Sequence, residues 1–243
     1  MKLMKNSLFI KQTNSTNALL WNMIREKSLP EGFVVHTDFQ TTGKGQIGNT
    51  WESEAGMNLL FSMVLYPKQV PAEEQFLLSQ LVSLGIKKTL DEFAENIAVK
   101  WPNDIYWNDK KVAGILIENS LQGNKIKSVV IGVGLNVNQK EFLGDAPNPI
   151  SLLQIKSKRL NRKLLLSKIS GNILQIYKEL NVEKIRSDYA ESLYRKEGFH
   201  TFMAVNESFK AKIIAVHTDG QLELETEAGK RKGFYFKEVH FVV

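Results

Sequence analysis

The 243-residue chain has no cysteine. Disulfides, thiolate catalysis and a cysteine-based zinc site are therefore excluded. The absence is compatible with a reducing compartment. No apolar run approaches the roughly 18 residues of a membrane span. The segment Ser7-Leu8-Phe9-Ile10 is too short for the core of a secretory signal, although Lys2 and Lys5 precede it. These absences predict a cytoplasmic, soluble protein with no membrane partner. There is no internal repeat and no low-complexity tract, and no Gly-x-x-x-x-Gly-Lys-Ser/Thr loop is present.

Charge of one sign is in modest excess. The net charge is +6 and the isoelectric point about 9.3. That balance favours acidic partners such as nucleotides, nucleic acid or an acidic protein. The basic residues are scattered, apart from clusters at 156–163 and 230–232, so a solvated basic face explains them better than a nucleic-acid footprint does.

What is present has a clear order. A first strand is expected over 7–12. A helix follows, with Ser15-Thr16-Asn17 at its start and Leu19, Leu20, Met23 and Ile24 at helical spacing. Strands are expected at 32–38 and 58–66, and a helix over 73–93 begins just after Pro71. Further strands fall near 97–101, 111–118 and 126–137. The stepping of Leu166, Ile169, Ile173, Ile176 and Leu180 predicts an amphipathic helix over 162–180, and a second helix covers about 183–195. From Phe199 the pattern becomes short strands, 202–205, 209–216, 222–225, 234–236 and 239–243, with turns at Asp219-Gly220 and Ala228-Gly229. Two units follow from this, residues 1–197 and a small barrel-like β unit over 198–243, joined near Glu197-Gly198.

Four segments carry chemistry. Gly43-Lys44-Gly45-Gln46-Ile47-Gly48 spells the dinucleotide fingerprint, but Asn49-Thr50-Trp51 leads toward a strand where the fingerprint needs a helix. It is better read as a loop rich in backbone N–H groups, able to wrap an anion, with Lys44 as its cation and Trp51 at its end. Ser15-Thr16-Asn17 has two readings, a helix cap or a set of donors and acceptors for a small polar head group. In Gly132-Val133-Gly134-Leu135-Asn136, two glycines interrupt an apolar strand. They mark a close approach by backbone or ligand, with Asn136 able to donate beyond them.

The most informative segment is 100–118. Lys100-Trp101-Pro102-Asn103-Asp104 forms a polar corner at a proline. Lys111 then enters Val112-Ala113-Gly114-Ile115-Leu116-Ile117, a buried strand. A hairpin turn is expected at Asn108-Asp109-Lys110. A lysine at the mouth of an apolar strand requires an anion.

Together these segments resemble the biotin protein ligases, in the short form without a DNA-binding domain. The matching blocks are Asn14-Ser15-Thr16-Asn17, the loop from Gln40 to Trp51, residues 100–118 and residues 132–136, in family order and spacing across essentially the whole chain. The resemblance implies an α+β fold: a mixed β-sheet flanked by helices, related to class II aminoacyl-tRNA synthetases and lipoate ligases, with a small C-terminal SH3-like β-barrel. It implies a ligase that forms biotinyl-5′-AMP from biotin and ATP, with Mg²⁺, and passes biotin to a lysine of a biotin carboxyl carrier domain.

Residue by residue, the resemblance makes Lys111 the catalytic lysine between the biotin carboxylate and the α-phosphate. Ser15, Thr16, Asn17, Gln40, Lys44, Gly45, Gln46, Trp51, Lys111 and Gly114 would bind biotin. Lys44, Lys100, Asn103, Asp104, Lys111 and Asn136 would serve ATP and the adenylate, with Asn103 and Asp104 near the phosphates and Mg²⁺; no metal ligand set is identified. Ser15 lies 14 residues from the start, so no winged helix and no DNA partner are expected, while a homodimer is compatible with the resemblance. The alternatives are a lipoate or octanoate ligase on the same fold and, outside enzymes, a basic nucleic-acid module. One departure stands out. The family loop usually reads Gly-Arg-Gly-Arg-x-Gly, and this chain has Lys44 and Gln46 in place of the two arginines.

Overall fold

The computed structural model describes residues 6–45, 50–144, 148–205 and 207–242. Strand β1 (Ser7–Thr13) leads into helix α1 (Thr16–Glu26), and β2 (Val34–Gln40) returns parallel to β1. Ser15 caps α1 through its side chain, which satisfies one of the N–H groups a helix start leaves without a partner. Strand β3 (Leu59–Leu65) is buried at every residue. After Pro71 a single 3-10 turn (Ala72–Glu74) precedes α2 (Phe76–Leu90), so the helix expected over 73–93 is shorter and begins later.

Strands β4 (Ile97–Lys100), β5 (Asp104–Trp107), β6 (Lys110–Gln122) and β7 (Lys125–Leu135) follow. Asn108, in the left-handed region at φ 49°, makes the two-residue connection of the β5–β6 hairpin, close to the turn the sequence predicts. The sheet order is β1-β2-β3-β7-β6-β5-β4. Only β1 and β2 pair parallel, so the sheet is mixed, as expected.

Helix α3 (Leu152–Lys156), absent from the sequence reading, is five residues long and held by a capping box between Ser151 and Gln154. Helices α4 (Arg162–Glu179) and α5 (Val182–Glu191) complete the helical layer. Gly85 of α2 lets α4 come close, because a Cβ there would sit 2.6 Å from Ile173. The α5 helix stops before the expected residue 195. Its following residues turn to the free edge of β4, where Val99 N–H donates to Ser192 and Tyr194 N–H donates to Val99. Covering a sheet edge with backbone hydrogen bonds wins over another helical turn.

The sheet separates two apolar layers. Phe61, Met63 and Leu65 join the larger one with α2, α4 and α5. Val35, Val64 and Val130 pack on the other face with Leu20 and Met23 of α1. Each fully buried side chain of this kind contributes about 1.5–3 kcal/mol.

The C-terminal strands are β8 (His200–Ala204), β9 (Glu207–Val216), β10 (Leu222–Thr226), β11 (Arg231–Phe234) and β12 (His240–Phe241). They form one antiparallel sheet in the order β11-β10-β9-β8-β12 around Phe202, Phe209, Phe234 and Phe241. The expected barrel is thus an open SH3-like sheet: among the described residues β11 and β12 do not pair. Trp101 fastens it to the large sheet by donating from Nε1 to the Gly220 carbonyl at 3.0 Å.

Candidate active site

The cationic end of the site grows from the β4–β5–β6 strands. Lys100 and Asp104 are register partners, so both side chains emerge where the corner at Pro102 opens. A register shift at Ile105/Tyr106 then re-aims the hairpin. The Lys111 ammonium lies 2.7 Å from the Asp104 carboxylate, with both side chains about a quarter exposed. This is the anion that the sequence demanded of Lys111. Lys100 is treated differently: it donates to the Tyr106 hydroxyl at 3.0 Å. Burial lowers the pKa of Lys100; Asp104 opposes this, and the charges of Lys111 and Arg195 add to it. Burial also raises the Tyr106 phenol well above its usual range, so the hydroxyl stays neutral.

The floor of the site is made by glycines. Gly114 and Gly134 are paired across β6 and β7, and Gly132 pairs with Leu116. Trp51 lies on this bed: a Cβ on Gly134 would be 2.4 Å from the indole, and one on Gly114 3.0 Å from it. The Lys111 ammonium is 5.9 Å from the indole centroid. The indole N–H is buried without a hydrogen-bond partner. Gly132 likewise makes room for the Asn17 amide, 2.4 Å from a would-be Cβ. The two strand glycines mark a close approach, but by an indole and an amide side chain and not by the backbone or ligand the sequence suggested.

The far end is polar, and its Thr16–Gln40 pair is uncharged. Thr16 donates to Gln40 Oε1 from both its backbone N–H, at 2.8 Å, and its hydroxyl, at 3.0 Å. Behind them, fully buried Ser62 stands 2.6 Å from Thr16 Oγ1 and 2.5 Å from Asn17 Oδ1. Asn17 Nδ2 donates to Glu118 at 2.8 Å, and Trp21 Nε1 to the same carboxylate oxygen at 3.2 Å. Asn14 ties in the loop, accepting from the Thr41 hydroxyl at 2.9 Å. The loop base is closed by the bridge of Lys44 with Thr50 and by Trp51 N–H donating to Gly43 at 3.0 Å.

One cavity of about 850 Å³ joins these parts. Ser15, Thr16, Asn17, Gln40, Lys44, Gly45, Trp51, Lys100, Asp104, Lys111 and Gly114 all line it, so the structure brings together most of the residues picked from sequence. Two are not brought in. Asn103 is buried and donates to the Ile115 carbonyl at 3.1 Å. Asn136 is buried beneath the Lys111 backbone, its N–H donating to Val112 at 2.9 Å and its Oδ1 without a partner. Gln46 lies outside the described residues.

Sequence reasoning missed Tyr106, Ser62 and Glu118, and it missed the contribution of the small sheet: Phe236, Lys237, His240 and Phe241 close the cavity from the other side. Tyr106 had a signal, since it sits two residues from Asp104 in the arm that leads to the expected hairpin turn. The tail residues had none. Among the described lining residues there are four lysines, Lys44, Lys100, Lys111 and Lys237, and a single carboxylate, Asp104, with Lys111 paired to Asp104. The cavity therefore selects for anions at one end and for a neutral polar group at the other.

Comparison with known proteins agrees with this geometry. The profile of the Biotin/lipoate A/B protein ligase family matches residues 9–136, more than half of the chain, and the protein belongs to that family. Among curated proteins it is similar to the bifunctional ligase/repressor BirA of Bacillus subtilis, 28% identical over 221 residues that cover 86% of this chain and 66% of BirA. It is also 33% identical over 167 residues to the biotin–[acetyl-CoA-carboxylase] ligase of Mycobacterium tuberculosis, covering 66% of this chain and 59% of that protein. The chain thus spans about two thirds of the length of these relatives or less. Among solved structures, the biotin protein ligase from Aquifex aeolicus in complex with biotin and ATP superposes with a TM-score of 0.78 at 26% identity, covering 98% of this chain and 100% of that one.

Proposed function

We propose that the protein is an ATP-dependent biotin protein ligase. The observation that carries this reading is the order of surfaces in one cavity: a neutral polar end at Thr16 and Gln40, a flat apolar bed under Trp51, and a cationic end at Lys111. Biotin has the same order of parts, with a ureido ring, an apolar ring and chain, and a carboxylate. A linear acyl chain has no polar head to occupy the first end.

In the first step a carboxylate oxygen of biotin attacks the α-phosphorus of ATP, and pyrophosphate leaves with the electrons of the broken P–O bond. Two anions must meet, which costs energy unless fixed cations offset their repulsion. In this reading Lys111 offsets that repulsion, exchanging Asp104 for the carboxylate and the α-phosphate, and its charge matters most as the pentavalent phosphorus forms. Lys100 and Lys44 serve the phosphates. Asn103 and Asn136 stand behind, holding the β6 backbone that carries Lys111. Were Mg²⁺ to accompany the nucleotide, Asp104 would be the residue to offer it a carboxylate oxygen, and the ion would offset phosphate charge. In the second step a neutral lysine amine attacks the acyl carbon of biotinyl-AMP, AMP leaves, and the new amide nitrogen loses a proton.

The acceptor in this reading is a biotin carboxyl carrier domain. Residues 1–197 form the catalytic domain and 198–243 an SH3-like one, the enzyme works in the cytoplasm, and neither DNA nor membrane is a partner. A homodimer is compatible with the reading. Among the described residues no helix is long and apolar enough to cross a membrane.

Incubation with ATP, labelled biotin and a carrier domain tests the activity. Label on the carrier lysine that depends on ATP is expected. Label transfer from octanoate or lipoate instead of biotin overturns the substrate assignment.

A further inference from the structure

Lys100 is held differently from Lys111. Its neighbour Asp104 gives its carboxylate to Lys111 at 2.7 Å, and Lys100 receives a neutral oxygen and two ring faces. Its Nζ donates to the Tyr106 hydroxyl at 3.0 Å. It also lies 4.6 Å from the centroid of the Tyr106 ring and 5.5 Å from that of Phe241. Tyr106 comes from β5 of the large sheet and Phe241 from β12 of the small one, so the lysine is gripped from both.

The grip is itself braced. Tyr106 is buried and packs on Tyr194 with centroids 5.3 Å apart, and Tyr194 packs on Phe241 at 5.8 Å. The Tyr194 hydroxyl bonds Asp109 in the β5–β6 turn. Arg195 spans the same gap, donating to the Val242 carbonyl at 2.6 Å and approaching Asp109 at 3.4 Å. Phe241 is further fixed by Phe202 at 4.8 Å.

A free lysine has four rotatable bonds and loses much entropy when ordered. Here the ordering is done beforehand by rigid aromatic walls. Ring faces and a neutral hydroxyl stabilise a cation without neutralising it. An ammonium so held keeps two of its three N–H donors for an incoming anion.

We propose that Tyr106 and Phe241 form an aromatic cleft that positions the Lys100 ammonium for the nucleotide phosphates, which makes the C-terminal sheet part of the nucleotide half of the site. This rests on the adenylating activity proposed above. Tyr106 and Phe241 are positioning residues, acting through Lys100.

Tyr106→Phe keeps the ring and removes the hydroxyl. Phe241→Leu keeps the apolar volume and removes the ring face. Biotin-dependent pyrophosphate release is measured for both against ATP, with biotin affinity by calorimetry and thermal midpoint alongside. The KM for ATP is expected to rise about tenfold for Tyr106→Phe and about threefold for Phe241→Leu. Biotin affinity and transfer from preformed biotinyl-AMP should stay as in the wild type for both, and so should the thermal midpoint of Tyr106→Phe, whereas that of Phe241→Leu falls modestly with the lost core packing. A merely structural role would instead lower the midpoint of Tyr106→Phe as well and weaken biotin and ATP together, and that result overturns the cleft. An unchanged KM for ATP in two folded variants overturns it as well, leaving the ligase activity standing. Wild-type protein that makes no adenylate from biotin and ATP overturns both.

Discussion

Asp104 holds Lys111 at 2.7 Å at the mouth of the cavity, so the cation proposed to receive the biotin carboxylate already has a carboxylate beside it. With both side chains about a quarter exposed, such a pair is worth on the order of 1 kcal/mol. That is enough to hold the lysine in place and little enough to be exchanged. Asp104→Asn should therefore tighten biotin binding severalfold in the absence of nucleotide, while slowing adenylate formation more than tenfold, because in the proposed reaction that carboxylate would serve the nucleotide's Mg²⁺. Calorimetry with biotin and a pyrophosphate-release assay measure the two effects. Lys111→Ala should keep the fold and lose adenylate formation; continued biotin-dependent exchange of pyrophosphate into ATP would remove Lys111 from the mechanism.

Trp51 rests directly on Gly134, and a ligand that enters between them has to lift the indole. Gly134→Ala would place a Cβ 2.4 Å from the ring, displacing Trp51 from its bed. Biotin affinity should fall at least tenfold, and the change in tryptophan fluorescence on adding biotin should shrink. A variant that binds biotin as tightly as wild type would show that the bed is irrelevant to the ligand.

Gln46 replaces a charged fork with a neutral amide. Arginine grips an anion bidentately, which an amide cannot do. The expected result is that Gln46→Arg slows release of biotinyl-AMP, read from the decay of the purified complex. Equal off-rates in the two proteins would refute this.

Lys100 has a pKa lowered chiefly by burial, with Lys111 and Arg195 adding to the effect and Asp104 opposing it. Tyr106, His240 and Lys237 also line the space around it. The charged form is the one that attracts phosphate. As pH rises, Lys100 should lose its proton below the value of 10.5 for an ordinary lysine, and ATP binding should weaken from that earlier point. Stability moves the other way: the cost of burying the charge is fully present below the folded pKa and is relieved as pH rises through it. Lys100→Arg stays charged throughout. Its KM for ATP should be flat across the alkaline range where the wild-type value climbs, and parallel profiles would exclude Lys100 as the titrating group.

Much of the site was legible because local chemistry announced it. Lys111 entering an apolar strand called for an anion, and Asp104 supplies it. Glycines at 132 and 134 inside a strand called for a close approach, and Asn17 and Trp51 make it. Asn103 and Asn136 were harder to place. An amide that serves a ligand and one that ties down a neighbouring backbone look the same in a sequence, and both of these donate to, or stand beside, the β6 backbone. The end of α5 was missed for a similar reason, since its competitor was the distant edge of β4.

By itself the sequence determined the elements, the segments that bear charge and glycine, and the family resemblance, because each depends on residues close together in the chain. Only the tertiary structure decided that the small sheet stays open, and that Phe241 and Lys237 reach a cavity whose other wall begins at Ser15. Those contacts join residues more than 200 positions apart. Their energy comes from burying aromatic surface between two sheets, and no periodicity along the chain records which surfaces will meet.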